Sequence, residues 1–137
     1  MPGVTRFSVS IEPELLERFD RLVASEGYPT RSEAVKALVR QALVGQEWVR
    51  GRSVAGAVTL VYDHHKRSLL QGVMDVQHDF GDVVVATQHV HLDHHNCLEV
   101  ITVRGKVKRI REFVAALKAV KGLKHSALVM TSTGEEG

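Results

Sequence analysis

The sequence predicts an α+β protein in two parts: a short strand with two helices, then a βαββαβ unit of the ferredoxin-like kind. Three observations carry this. A period-two alternation over residues 6–11 gives way to two stretches with apolar residues at helical spacing. A glycine-bearing stretch, 45–56, then interrupts the pattern, and from Val54 onward strand patterns alternate with helical ones.

In the first strand Phe7, Val9 and Ile11 face one side and Arg6, Ser8 and Ser10 the other. Pro13 suits the first turn of a helix, along which Leu15, Leu16, Phe19, Leu22 and Val23 recur until Gly27 and Pro29 stop it. Thr30-Arg31-Ser32-Glu33 has the spacing of a capping box, and Ala34, Val35, Leu38, Val39, Ala42 and Leu43 form the next apolar stripe. One short strand and two helices cannot bury enough surface alone, so this segment is expected to pair its strand with a second copy of the chain. Strands are expected at 57–62, 83–91, 97–103 and 126–131. Leu69, Leu70, Val73 and Met74 mark one intervening helix, and Ile110, Phe113, Val114, Leu117 and Val120 the other. The expected organisation is a first domain at 1–48, a linker at 49–56, a second domain at 57–132 and a disordered tail at 133–137.

Composition narrows the setting. With 44% hydrophobic and 25% charged residues, the 137-residue chain has the make-up of a soluble globular protein. It shows neither a transmembrane-length apolar run nor a signal-peptide pattern, so a cytoplasmic protein without a membrane partner is expected. Its single cysteine cannot form an internal disulfide and is free for thiolate chemistry. The net charge of +2 is too small to argue for nucleic acid. Residues 104–124 do hold eight Lys and Arg against one acidic residue, which reads first as a solvated helix face.

Six potential metal ligands, His78, His89, His91, His94, His95 and Cys97, fall within twenty residues. His89 and His91 lie two apart on a strand and so share a face, and a tight hairpin brings Cys97, at the start of the next strand, beside His91. His78 fits less easily. The strand between it and the hairpin tip spans about 23 Å, and the four residues before that strand recover only about 13 Å. If His78 is a ligand, it serves the hairpin of another subunit. Three nitrogens and a thiolate suit nickel, copper or zinc. His94 and His95 are expected to face water as turn residues, and His64, His65 and His125 to be structural or superficial.

A two-stranded ribbon offering Arg6, Ser8 and Ser10 has the width that the major groove of double-stranded DNA admits. The start of the second helix, with Arg31 and Ser32, could meet a phosphate.

Residues 6–43, with Arg6-Phe-Ser-Val-Ser, Leu15-Leu16, Gly27-Tyr28 and Arg31-Ser-Glu-Ala-Val, resemble a ribbon-helix-helix repressor. Residues 58–104, with Tyr62-Asp63-His64, Lys66-Arg67, Gln77-His78, Ala86-Thr87-Gln88-His89-Val90-His91 and Cys97-Leu98-Glu99, are similar to the nickel-responsive NikR regulators. The resemblance implies a homotetramer, a dimer of dimers, with ACT-type regulatory domains at its centre. It implies one Ni(II) per subunit, held square-planar by His89, His91 and Cys97 of one subunit and His78 of another, with Tyr62, His64 and Glu99 around them. It further implies that Lys66 and Arg67 touch the DNA backbone, that operator DNA is the partner, and that nickel uptake genes are repressed. No catalysis and no small-molecule substrate are implied. Two departures from the family pattern stand out: serines replace the threonines some members carry on the ribbon, and Ala37 stands where a carboxylate would join Glu33 in holding an interdomain cation. The competing expectation is an antitoxin-type ribbon-helix-helix regulator whose second domain is merely stabilised by metal.

Overall fold

The computed structural model describes residues 3–50 and 53–134, which divide into two units, residues 1–41 and 42–137. The elements are α1 (Pro13–Ser25), α2 (Arg31–Arg50), β1 (Ser53–Asp63), α3 (Arg67–Asp79), β2 (Val84–His91), β3 (Asn96–Lys106), α4 (Val107–Lys118) and β4 (His125–Thr131). No helix among the described residues is long and apolar enough to cross a membrane.

In the first unit, Pro13 takes the first helical position of α1, where its missing N–H costs nothing. Gly27, at φ 75°, ends that helix in the left-handed region. The Thr30 hydroxyl caps α2 by accepting the Glu33 N–H at 3.1 Å. The reciprocal half of the expected capping box is replaced by an ion pair, since the Glu33 carboxylate turns to Lys36 at 2.7 Å. Among the described residues, 6–11 join no ladder, because a strand needs a neighbour and this unit supplies none. Phe7 and Val9 are accordingly 72% and 69% exposed.

The second unit carries a four-stranded sheet in the order β2-β3-β1-β4, antiparallel throughout, the ferredoxin-like arrangement. Burial alternates along the central strands. Val54, Val58, Leu60 and Tyr62 of β1 and Cys97, Ile101 and Val103 of β3 join Leu69 and Val73 of α3 and Ile110, Phe113 and Leu117 of α4 in the core.

The stretch expected as a linker is mostly regular structure, because α2 runs on to Arg50 and β1 begins at Ser53. Gly51 and Arg52 lie outside the described residues, as do residues 135–137 of the expected disordered tail. Trp48 accounts for the difference. It is buried in the core of the second unit, its indole N–H donates to the Thr131 carbonyl at 2.9 Å, and the Arg111 guanidinium lies 5.9 Å from its ring centroid. Gly56 is likewise a packing residue: a Cβ there would stand 2.7 Å from the Val129 carbonyl oxygen.

The turn from α3 to β2 is clamped by Arg109 of α4. Its guanidinium bonds Asp82 at 2.9 and 3.2 Å, donates to the Asp79 carbonyl at 3.2 Å, and lies 4.0 Å from the Phe80 ring centroid. This clamp positions the end of α3, where His78 sits.

Candidate metal centre and DNA-facing residues

The register of β2 on β3 places His91 opposite Cys97 and His89 opposite Glu99, while β1 places Tyr62 opposite Cys97 on the other side. Directly opposed residues share a face, so His91, Cys97 and Tyr62 form one row across the sheet and His89 and Glu99 lie in the next. The Cys97 sulfur is 3.9 Å from His89 Nδ1. The imidazoles are exposed, whereas Cys97 and Glu99 are fully buried. Two exposed imidazoles therefore stand over a closed floor that holds the buried thiol, residue types that borderline divalent ions take.

Glu99 organises that floor. Its carboxylate accepts the Tyr62 hydroxyl at 2.5 Å, the Thr87 hydroxyl at 2.8 Å and the side-chain amide of Gln77, and Oε1 lies 3.5 Å from His89 Nε2. These donors offset the cost of burying a carboxylate. Burial, and then the hydrogen bond to Glu99, push the Tyr62 hydroxyl far above its ordinary range, so Tyr62 remains a donor. Burial also pushes the Cys97 thiol up; a hydrogen bond with Tyr62 opposes this and the negative charge of Glu99 adds to it. A metal ion held by this sulfur would have to displace the thiol proton.

Of the four expected ligands, the β2–β3 register sets His89, His91 and Cys97 on one face of the sheet, with His91 directly opposite Cys97. His78 is exposed in the last turn of α3, one residue beyond Gln77 and one helical step of about 100° around the axis from it. His64 stacks flat on His91, with centroids 4.5 Å apart and planes 4° from parallel, and its buried Nε2 has no hydrogen-bond partner. Sequence reasoning missed Gln77 and Thr87 as partners of Glu99, although Thr87 shares a strand face with His89 and could have been suspected. His94 and His95 are exposed as expected, and His65 is superficial, but the end of β1 lies beside the hairpin tip, so the His94 and His95 ring centroids stand 5.1 and 5.7 Å from that of His65, a grouping that sequence reasoning missed.

On the other unit Arg6, Ser8 and Ser10 are exposed, as is Ser32 at the start of α2. Arg31 is engaged by Asp20, which it bonds through Nε and Nη2 at 2.8 Å each. Lys66 and Arg67 are exposed where α3 begins.

A strand-forming segment ahead of two helices, followed by a ferredoxin-like sheet with exposed imidazoles over a buried thiol, defines a ribbon-helix-helix protein with a metal-binding second domain. Both parts match family models: residues 5–44 match the ribbon-helix-helix proteins of the copG family, and residues 55–131 the NikR C-terminal nickel-binding domain. The chain is 47% identical over 135 residues to a protein of Syntrophus aciditrophicus, covering 98% of each. It is 48% identical over 134 residues to proteins of Thermococcus onnurineus and Pyrococcus abyssi, covering 97% of each chain. All three are described as nickel-responsive regulators. The chain belongs to the NikR family, a family of nickel-responsive ribbon-helix-helix transcription regulators and not of enzymes. An uncharacterised protein of Thermotoga maritima, TM1266, shares the fold, with a TM-score of 0.53 at 11% identity over 58% of this chain and 98% of that one.

Proposed function

We propose that this regulator binds one Ni(II) per subunit through His89, His91 and Cys97, with His78 supplied by another subunit of a homotetramer built as a dimer of dimers. The loaded form then grips double-stranded operator DNA in the cytoplasm and represses nickel uptake genes. The observation that carries this reading is the division of the donors. One hairpin register aligns three of them on a single face, while the fourth points outward from the clamped end of α3. Nickel, when bound, supplies a bond between subunits. Tyr62, His64 and Glu99 orient the ligands, and Gln77, bonded to Glu99 and adjacent to His78, ties the helix end to the hairpin. On the DNA side, two copies of residues 6–11 pair as a ribbon, with Arg6, Ser8 and Ser10 reading bases. Arg31, Ser32, Lys66 and Arg67 meet the phosphate backbone.

The test mixes subunits. His78→Ala and Cys97→Ala proteins should each lose nickel-dependent operator binding, and Cys97→Ala should also lose the sulfur-to-nickel charge-transfer absorption. Tetramers reassembled from both variants should regain part of each signal, since some sites then combine an intact His78 with an intact hairpin. No recovery after verified subunit exchange would show that each site is built within one chain. Equal DNA binding by wild-type protein with nickel and with chelator would end the reading.

A further inference from the structure

We infer that a second transition-metal site lies at the tip of the β2–β3 hairpin, formed by Asp63, His65 and His95 with His94 within reach as a fourth donor, and that it takes a borderline divalent ion such as Zn(II) or Co(II). It uses none of the nickel ligands proposed above. Among the described residues, Asp63, His65 and His95 are the group whose donor atoms already lie within 4.8 Å of one another. His65 Nδ1 is 3.5 Å from Asp63 Oδ1. Two donors on one tetrahedral ion, with bonds of about 2.0 to 2.1 Å, stand roughly 3.4 Å apart. That pair needs almost no rearrangement.

The backbone supplies the convergence. Asp63 ends β1 opposite Asn96, and the His64 N–H donates to the His95 carbonyl at 3.1 Å, which ties the exit of β1 to the hairpin loop. The loop is itself held, because the Asp93 carboxylate accepts the N–H groups of His95 and Asn96 at 2.9 and 2.8 Å. The Asp63 carboxylate is oriented in turn by the His65 N–H at 2.9 Å. His94 completes the set, its ring centroid 5.1 Å from that of His65 and 4.9 Å from that of His95. Two imidazoles beside a carboxylate, with a third ring against both, are poorly explained as a solvated turn. As neutral ligands with one anion they match a His3Asp donor set for zinc.

The experiment uses the full-length protein preloaded with one equivalent of Ni(II), then titrated with Co(II) while its visible d–d bands and total metal content are followed. One further equivalent should bind. His65→Ala and His95→Ala should each weaken it by more than about tenfold, since losing even an outer partner of a metal ligand costs about that much. His125→Ala, at the start of β4, should leave it unchanged. Because these positions are exposed, the variants are expected to fold, and retained nickel absorption verifies this. The same titration on Cys97→Ala separates the two sites: Co(II) binding that survives there and is lost in His65→Ala supports the tip site, whatever becomes of the nickel reading. Absence of a second equivalent, or equal Co(II) affinity in wild type, His65→Ala and His95→Ala, overturns it.

Discussion

Glu99 is the residue on which the hairpin site turns, because a fully buried carboxylate persists only while its donors do. Tyr62→Phe removes one of them and leaves a charged oxygen short of a partner. The metal-free variant should lose about 1 to 3 kcal/mol in chemical denaturation, with nickel affinity falling by about tenfold or more. The thiol should respond as well. Tyr62 holds the Cys97 pKa down against burial and Glu99, so its removal should move thiolate formation, followed by ultraviolet absorbance, to higher pH. Glu99→Gln should move it the other way. An unchanged thiol titration in Tyr62→Phe would separate the two residues energetically. At this scale the shared face of His89 and His91 was legible from strand spacing, and the register His91↔Cys97 from the short hairpin between them. Gln77 was not, because its role depends on how α3 lies over the sheet, which no local pattern states. His65 was hidden for a similar reason: β1 and the hairpin tip are neighbours only after the β1–β3 ladder forms.

Among the elements, the turn between α3 and β2 matters because it fixes where His78 is held. Arg109 keeps the Asp82 carboxyl below its ordinary range through a direct hydrogen bond. A carboxyl depressed in the folded state adds stability above its unfolded value, about 3.9, and that stability is lost as pH falls through the lower folded value. Asp82→Asn should therefore lower Tm at neutral pH, with the difference from wild type shrinking below about pH 4 and vanishing in stronger acid. A difference that stays constant across that range would assign the effect to packing instead. The elements were legible in kind and order, with one informative exception at 45–56. Its glycines suggested a linker, yet Trp48 anchors the end of α2 in the second unit and Gly56 admits the backbone of β4. A large apolar residue among glycines was the available signal, and it outweighs them because burying an indole is worth several kcal/mol, whereas each glycine costs about 1. Gly56→Ala should accordingly destabilise the second unit by about 1 to 3 kcal/mol, since the obstructing atom is backbone and cannot rotate away.

For the whole molecule, assembly was legible only as a need. Among the described residues, 6–11 alternate like a strand and join no ladder, and His78 lies exposed at the end of α3, off the row formed by His91, Cys97 and Tyr62. Both facts ask for a second copy, and neither says how the copies are arranged, since a single sequence carries no symmetry operator. The consequence can be measured as a linkage. If nickel favours the arrangement that fits DNA, operator DNA must tighten nickel by the same factor that nickel tightens DNA, whatever the structural route between the sites. The two kinds of proposed DNA contact then separate within that cycle. Lys66→Ala should weaken operator and unrelated DNA about equally and make the salt dependence of binding shallower, by about one unit of slope for each phosphate no longer neutralised. Arg6→Ala should instead cost about 1 to 3 kcal/mol on the operator and relax the preference for it, while unrelated DNA changes little beyond the removal of one charge. Fluorescence anisotropy on both DNAs across a salt series, with nickel and with chelator, measures all four corners. The same selectivity ratio for Lys66→Ala and Arg6→Ala would mean that the ribbon does not read the bases, leaving discrimination to the shape of the DNA.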